Sequence, residues 1–371
     1  MSAALRVAVV GGGSWGTAVA ALLAERHDVV LWALEDEVVD GVNERGQNPL
    51  FHPGVSLPGG LQATTDLKSA VDGAEVTVMA VPTQFMRGVT ASLADSLDRS
   101  VPIVSLSKGI EAETLLRPTQ IIDDVYGGHD AVGVLSGPNL AREVITGHPA
   151  ATVLAFADHD LATRLQAVFS SPRFDVYTND DVMGCELGGS VKNVMAVAAG
   201  MAAGLGHGQN AIAALVCRAL IEMARLGLAY GARAETFLGL AGQGDLVATC
   251  LSEQSRNHHF GRELAKGRTV DEIAADSSMV AEGVKSVDSM LKLAERAGVD
   301  MSLVSLVHNV VHGGHAPAAA FELRRQNEPA HELEGIVALL GTPTAPGRLD
   351  DTVRAHPTVP SVPITPTGGR T

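Results

Sequence analysis

The sequence predicts an α/β protein with a Rossmann-type doubly wound sheet followed by an all-helical C-terminal domain. Short β-branched runs alternate with helical segments through the first half, a glycine-rich turn joins the first strand to the first helix, and strand-like runs nearly vanish after Asn179. We therefore expect a Rossmann-like domain at residues 1–180, a helical domain at 181–325 and a disordered Pro/Thr-rich tail at 326–371.

The composition limits the classes of partner. The 371 residues carry 27 Lys and Arg against 42 Asp and Glu, a net charge of −15, and nucleic-acid binding would need a basic face. A small anionic substrate stays possible, because a few local cations outweigh a distant acidic surface that salt screens. Three cysteines without paired spacing, the absence of a signal-peptide pattern and the interrupted apolar runs predict a soluble cytoplasmic protein that does not insert into membranes.

The first predicted turn has the pattern of a dinucleotide site. A buried strand and a helix are predicted on its two sides, at Val7–Val10 and Ala18–Leu23. In Gly11-Gly12-Gly13-Ser14-Trp15-Gly16, Gly11 makes the turn, Gly13 lets a pyrophosphate approach the backbone, and Gly16 lets helix and strand pack closely. The alternative is a purely structural glycine turn, and the second strand at Asp28–Ala33 favours the nucleotide site.

The end of that second strand bears on the nicotinamide cofactor. Leu34 is followed by the acids Glu35, Asp36 and Glu37, and the segment between Arg26 and Arg45 contains no Arg or Lys. Carboxylates would repel a 2′-phosphate, whereas one of them could accept a free ribose hydroxyl, so NAD is favoured over NADP. The alternative for Glu35 is an acid that complements the dipole at a helix start.

The next two strands end in segments expected to face the cofactor, as strand ends do in such sheets. Glu75–Val81 predicts a strand whose continuation as far as Phe85 packs along the cofactor. Ile103–Leu106 predicts a strand that delivers Lys108 and Gly109, where the lysine is well placed for a phosphate or a carbonyl oxygen. The alternative for Lys108 is a solvated loop lysine.

The remaining elements complete the order. Val132–Leu135 predicts a strand, and the small-residue turn from Ser136 to Ala141 presents backbone N–H groups to an anion or an amide. Asn48 to Gly54 is an irregular loop that could cover a site. Two further strands and two long helices are predicted at Ala151–Phe156, Phe174–Tyr177, Ala211–Leu228 and Val280–Ala297.

A lysine stands in an apolar stretch of the second half. From Leu187 to Cys217 the only ionisable side chains are Lys192, His207 and Cys217 itself. Burying an unpaired ammonium costs several kcal/mol or lowers its pKa, so Lys192 is expected to have a partner or a chemical role. The alternative is a lysine that extends its ammonium into water near a helix start.

Two polar groups follow along the chain. Asp245 stands in a glycine-rich turn at the head of an apolar helix, where the simplest interpretation is an N-cap. Ser255-Arg256-Asn257 combines a hydroxyl, a guanidinium and an amide that together could bind a phosphate, and the alternative is a solvated helix start.

Taken in order, these segments resemble the glycerol-3-phosphate dehydrogenases that depend on NAD or NADP, over about Leu5 to Leu323. The matching motifs are the glycine turn with Trp15, Lys108-Gly109, Ser136-Gly137-Pro138, Glu186-Leu187-Gly188-Gly189 through Lys192-Asn193-Val194, Gly242 to Leu246, and Ser255-Arg256-Asn257. Several matches in the family's order arise by chance far less often than any single one.

The resemblance implies reversible reduction of dihydroxyacetone phosphate to sn-glycerol 3-phosphate, the first committed step toward glycerophospholipids, by a homodimer that needs no metal. Lys192 matches the catalytic lysine, which binds substrate and exchanges a proton with its C2 oxygen. The other substrate contacts implied are Lys108, Gly137, Asn139, Asp245, Ser255, Arg256 and Asn257. The residues already predicted to contact the cofactor are Gly11, Gly13, Gly16, Glu35 and Phe85. The resemblance adds Ser14, Trp15, Lys108, Ala141, Arg256, Val280 and Glu282.

The chemistry of the reaction explains why the site would contain two lysines. Reduction of a ketone builds negative charge on its oxygen, so the site needs a fixed cation and a proton donor. We expect the nearby Lys108 to lower the pKa of Lys192 toward the working pH.

Some segments depart from the family's pattern without removing a catalytic group. They are Leu34-Glu35-Asp36 in place of a frequent basic residue, His52-Pro53 in a loop that usually has Tyr-Leu-Pro, Cys217-Arg218-Ala219-Leu220 for Thr-Arg-Gly-Leu, and Met301-Ser302-Leu303 for Met-Pro-Ile. Two other functions stay open. One is a related two-domain dehydrogenase acting on a hydroxy acid, which would bind a carboxylate instead of a phosphate, and the other is an NAD-binding sensor that has lost catalysis.

Overall fold

The computed structural model describes residues 4–129, 131–276 and 281–325, and its first half is built on one eight-stranded sheet. The strands are β1 (Arg6–Val10), β2 (Asp28–Trp32), β3 (Gln62–Thr64), β4 (Val76–Met79), β5 (Ile103–Ser105), β6 (Val132–Ser136), β7 (Ala150–Ala155) and β8 (Phe174–Asn179). The helices among them are α1 (Ser14–Ala24), α2 (Asp36–Arg45), α3 (Leu67–Val71), α4 (Thr83–Leu93), α5 (Pro118–Tyr126), α6 (Ala141–Ile145) and α7 (His159–Phe169).

The sheet has the order β3-β2-β1-β4-β5-β6-β7-β8, and neighbouring strands are parallel except β6 and β7. Its first six strands thus follow the order of a dinucleotide-binding sheet, which confirms the predicted fold class. Strand β3 was not predicted, because three residues are too few to show a period. The reversal at β7 was not predicted either, and it follows the short five-residue helix α6.

The second half is helical. Its elements are α8 (Val182–Gly204), α9 (Gln209–Ala229), α10 (Ala234–Leu238), a π-helical turn (Leu240–Gly244), α11 (Asp245–Leu251), α12 (Arg256–Ala265), α13 (Val270–Asp276), α14 (Glu282–Ala297), α15 (Ser302–Val311) and α16 (Pro317–Arg325). Within the described ranges no helix has the length and apolar character needed to cross a bilayer. The predicted division at 180/181 falls between β8 and α8, and the predicted tail at 326–371 lies outside the described residues.

Helix α8 is enclosed by its neighbours, and glycines determine how closely they approach. Every residue from Gly184 to Ala202 is buried, and α8 contacts α9, α11, α12, α14 and α15. A Cβ atom on Gly200 would lie 2.0 Å from the carbonyl oxygen of His258 in α12. A Cβ on Gly261 of α12 would lie 2.1 Å from the carbonyl oxygen of Val197 in α8. The two backbones therefore touch where only glycine fits.

We expect Gly200→Ala to lower the free energy of unfolding by about 1–3 kcal/mol or more, because the added methyl meets a backbone carbonyl that cannot rotate away. Gly88→Ala is the matched control, since Gly88 is also helical but has no atom within 4 Å of the Cβ position. It should stabilise the protein by about 0.5–1 kcal/mol. Urea unfolding measures both, and an unchanged stability of Gly200→Ala would contradict the close contact of α8 with α12.

Candidate active site

Three of the four glycines in the first turn differ in the space around them. Gly11 has φ +126°, and a Cβ there would lie 2.6 Å from the carbonyl oxygen of Ala80. A Cβ on Gly16 would lie 1.9 Å from the carbonyl oxygen of Gly11. At Gly13 no atom lies within 4 Å of the Cβ position, and α1 begins at the next residue. The turn therefore leaves open backbone at a helix N-terminus, which suits the pyrophosphate of a dinucleotide.

Loop 48–54 is hydrogen-bonded to this turn. Asn48 donates from Nδ2 to the carbonyl oxygen of Gly12 at 2.9 Å. His52 is 1% exposed, and its Nε2 lies 2.7 Å from the carbonyl oxygen of Ser14, to which it must donate. Burial lowers the pKa of His52, and the hydrogen bond to Ser14 opposes that shift. The loop predicted to cover a site is thus fixed to the start of α1.

The other residues predicted to contact the cofactor on this side differ in exposure. Half-buried Trp15 packs its ring 6.4 Å from that of Phe174. Glu35 is exposed directly before α2, and its side chain does not cap that helix. Phe85 on α4 is 60% exposed, so its ring is free to contact a ligand, and half-buried Ala141 opens α6.

The carboxylate of Asp245 joins the two predicted lysines. Its Oδ1 accepts a hydrogen bond from Lys192 Nζ at 2.7 Å, and its Oδ2 accepts one from Lys108 Nζ at 2.5 Å. Lys192 comes from α8, Lys108 follows β5, and Asp245 is the first residue of α11, so three separate elements meet here. The side chains are 9%, 16% and 2% exposed, respectively. The N-cap interpretation of Asp245 is wrong, because Gly244 occupies that position.

Burial and the neighbouring charges shift the pKa values of Lys192 and Asp245. Burial lowers the pKa of Lys192 to about 8; Asp245 opposes that shift and Lys108 adds to it. Lys108 thus acts in the expected direction, and removal of the ammonium from water contributes the larger part of the shift. Burial also opposes the charge of Asp245, yet the ammonium groups of Lys108 and Lys192 outweigh it and lower the pKa of that carboxyl.

Thr249 is a member of the site that sequence reasoning missed. Its Oγ1 accepts from Lys192 Nζ at 2.6 Å and donates to the carbonyl oxygen of Asp245 at 2.7 Å. The available signal was its spacing, one helical turn after Asp245. Lys192 donates to Asp245 and Thr249, and Lys108 donates to Asp245 and to the carbonyl oxygen of Gly137 at 3.2 Å. An ammonium has three N–H bonds, so each lysine keeps one for a ligand.

The predicted phosphate-binding cluster forms the start of α12. The side chain of Ser255 caps this helix by accepting from a backbone N–H in its first turn, and the side chain of Arg256 is exposed. Asn257 is buried, donates to Asn193 Oδ1 at 3.0 Å and accepts from the N–H of Gly283 at 2.9 Å. A helix N-terminus beside a guanidinium can bind an anion, while Asn257 ties α8 to α14.

Three predicted contacts remain. Asn139 accepts from Thr152 Oγ1 at 2.8 Å and donates to the carbonyl oxygen of Ala151 at 3.1 Å, so its amide holds the turn after β6. Glu282 is half-buried at the start of α14; burial raises its pKa, and Arg256 opposes that shift. Val280 lies outside the described residues.

Two family models match the chain. The model of the NAD-dependent glycerol-3-phosphate dehydrogenase N-terminus matches residues 6–162, and the model of the C-terminus of the same family matches residues 181–322. Together the two models span both halves of the fold.

Individual proteins agree with these models. A glycerol-3-phosphate dehydrogenase [NAD(P)+] of Sphingopyxis alaskensis is 49% identical over 309 residues, 83% of this chain and 92% of that protein. One of Streptomyces avermitilis is 48% identical over 324 residues, 87% of this chain and 96% of that protein. The crystal structure of a glycerol-3-phosphate dehydrogenase from Coxiella burnetii matches with a TM-score of 0.83 at 35% identity, covering 87% of this chain and 99% of that one.

Proposed function

The chain belongs to the NAD-dependent glycerol-3-phosphate dehydrogenase family and reduces dihydroxyacetone phosphate to glycerol 3-phosphate with NAD(P)H, and we propose that Lys192 supplies the proton for this reaction. The observation that supports this role is a buried ammonium that has one unused N–H and a pKa lowered to about 8. A donor with a pKa near the working pH transfers its proton most effectively.

The neighbours of Lys192 fit a reaction in which the substrate oxygen becomes negative. When bound, the nicotinamide would supply the hydride. Lys192 and Lys108 each have an unused N–H for the substrate, and Asp245 holds both ammonium groups through its two oxygens. Because these donors are fixed before substrate arrives, little reorganisation accompanies the reaction. In the reverse direction the neutral amine of Lys192 accepts the proton from the alcohol.

The phosphate of the substrate fits the start of α12. Arg256 is exposed there, and the first-turn N–H groups of a ten-residue helix carry partial positive charge. This arrangement suits a phosphate better than the carboxylate of a hydroxy acid, because a guanidinium and several N–H groups can share three oxygens. We therefore place the phosphate against Ser255 and Arg256, with Asn257 supporting them. The carbonyl oxygen of Gly137 accepts from Lys108, and Asn139 holds the turn in which Gly137 lies.

We expect Lys192→Ala to abolish turnover of dihydroxyacetone phosphate and to leave the dissociation constant of NADH nearly unchanged, because Lys192 acts on the substrate oxygen. Lys292→Ala, an exposed lysine on α14, serves as the control and should keep wild-type turnover. Steady-state assays and NADH fluorescence titrations measure both quantities. A Lys192→Ala enzyme that retains more than a few per cent of the wild-type rate would contradict the proposed role.

We also propose that NAD is preferred over NADP. Leu34 is 76% exposed and is followed by the exposed acids Glu35, Asp36 and Glu37. A 2′-phosphate placed at the end of β2 would lie near carboxylates with no cation among these residues, while Glu35 could accept a ribose hydroxyl.

A comparison of kcat/KM tests this preference. We expect NADH to exceed NADPH by about tenfold or more, which corresponds to about 1.4 kcal/mol. Leu34→Arg should narrow the gap by giving the 2′-phosphate a guanidinium, while Leu238→Arg, which adds the same charge at a 69% exposed residue of α10, is the control. Equal use of the two cofactors by the wild-type enzyme would contradict the assignment to the acidic segment.

The wider role follows from the product. Glycerol 3-phosphate is the backbone from which glycerophospholipids are made, so we propose that the enzyme supplies this synthesis in the cytoplasm as a homodimer. A hydroxy-acid dehydrogenase is disfavoured by the phosphate-binding geometry at α12. A sensor without catalysis is disfavoured by the intact set of Lys192, Asp245 and Arg256.

A further inference from the structure

Glu186 is a buried carboxylate that the proposed reaction does not use. It lies in the second turn of α8, its side chain is fully buried, and it forms an ion pair with Arg117. It also accepts from the backbone N–H of Thr119 at 2.8 Å and from Thr119 Oγ1 at 2.7 Å. Three donors on one buried carboxylate make this a strong attachment between α8 and the start of α5.

Ser190 lies one turn further along α8 and contacts the chain that connects β5 to α5, near its β5 end. Its Oγ donates to the carbonyl oxygen of Gly109 at 3.3 Å, directly after Lys108. Residues four apart share a helix face, so Glu186 and Ser190, which we call the α8 clamp, contact the two ends of the β5–α5 connection. A Cβ on Gly189 would lie 3.3 Å from Cγ of Lys108, so the helix also touches the lysine side chain.

The β5–α5 connection is itself constrained. Leu115 has φ +62°, the one positive φ of a non-glycine residue in the part of the chain that the structure describes. Such a conformation persists only where the surroundings fix it. Gln84 donates to the carbonyl oxygen of Ile110 at 2.8 Å and accepts from the N–H of Ala112 at 3.1 Å. The connection is therefore held between α4 on one side and the α8 clamp on the other.

Charge explains why such a restraint is needed. Lys108 and Lys192 bind the two oxygens of one carboxylate, so two positive charges repel each other at close range. Lys192 is fixed on an enclosed helix, whereas Lys108 lies on a connection, so Lys108 is the ammonium that repulsion would displace. We propose that Glu186 is a positioning residue that keeps Lys108 hydrogen-bonded to Asp245. Because Glu186 and Lys192 lie on the same helix, this contact also keeps Lys108 aligned with Lys192. This proposal rests on the proposed roles of both lysines.

The test is Glu186→Gln, with the rate of dihydroxyacetone phosphate reduction followed against pH. The wild-type rate should fall above about pH 8, as Lys192 loses its proton. If Glu186 holds Lys108, the variant frees Lys108 to move away, and kcat falls by ten- to a hundredfold. Lys192 then loses a nearby positive charge, so its pKa rises and the high-pH limb shifts upward by about half a unit or more. Thr119→Val removes one donor to Glu186 without changing shape, and it should shift both quantities in the same direction by less.

Glu222→Gln is the control for lost stability alone. Glu222 is also a buried carboxylate, but it caps α15 through Ser302 Oγ at 2.7 Å and the N–H of Leu303 at 3.0 Å. The Glu222→Gln variant should lower the melting temperature and leave the decline of the rate at high pH unchanged. Suppose that the wild-type rate declines near pH 8, and that folded Glu186→Gln and Thr119→Val show the same decline with unchanged kcat. That result would overturn the positioning role alone. The absence of any such decline in the wild-type enzyme would overturn the proton-donor role of Lys192 and this proposal with it.

Discussion

The site depends on one carboxylate, Asp245, that two ammonium groups share in a buried position. Two unit charges 4 Å apart at an effective dielectric of 20 interact by about 4 kcal/mol, so each lysine gains from Asp245 and is repelled by the other. The group carries one net positive charge, which an anionic substrate can offset. A protein with a net charge of −15 can therefore receive a phosphorylated substrate, because the local charge has the opposite sign.

Helix α8 supplies the frame for this carboxylate and its partners. It is rich in small residues, so neighbouring backbones approach closely, as they do at Gly200 and Gly261. The same enclosure removes Lys192 from water and lowers its pKa to about 8. Tight packing and the lowered pKa thus share one cause, since a looser helix would leave the ammonium solvated. The α8 clamp extends this frame to Lys108, which follows β5.

Local patterns predicted much of the fold. The glycine turn, seven of the eight strands of the described sheet and the long helices follow from periodicity and from residue types that fix backbone geometry. Contacts between distant residues could not be predicted from spacing: Asp245 is 53 residues from Lys192 and 137 from Lys108. The degree of burial could not be predicted either, so the sequence did not show that removal from water lowers the pKa of Lys192 more than Lys108 does. Thr249 and the positive φ of Leu115 depend on tertiary packing in the same way.

Direct titration of Lys192 is the closest test of its proposed role as a buried proton donor. In protein with isotope-labelled lysines, the side-chain NMR signal that disappears in Lys192→Met reports this amine alone. We predict that it titrates near pH 8, well below the ordinary value of 10.5, and lower still in Asp245→Asn, where the stabilising carboxylate is gone. A midpoint near 10.5 in the wild-type protein would contradict a buried proton donor.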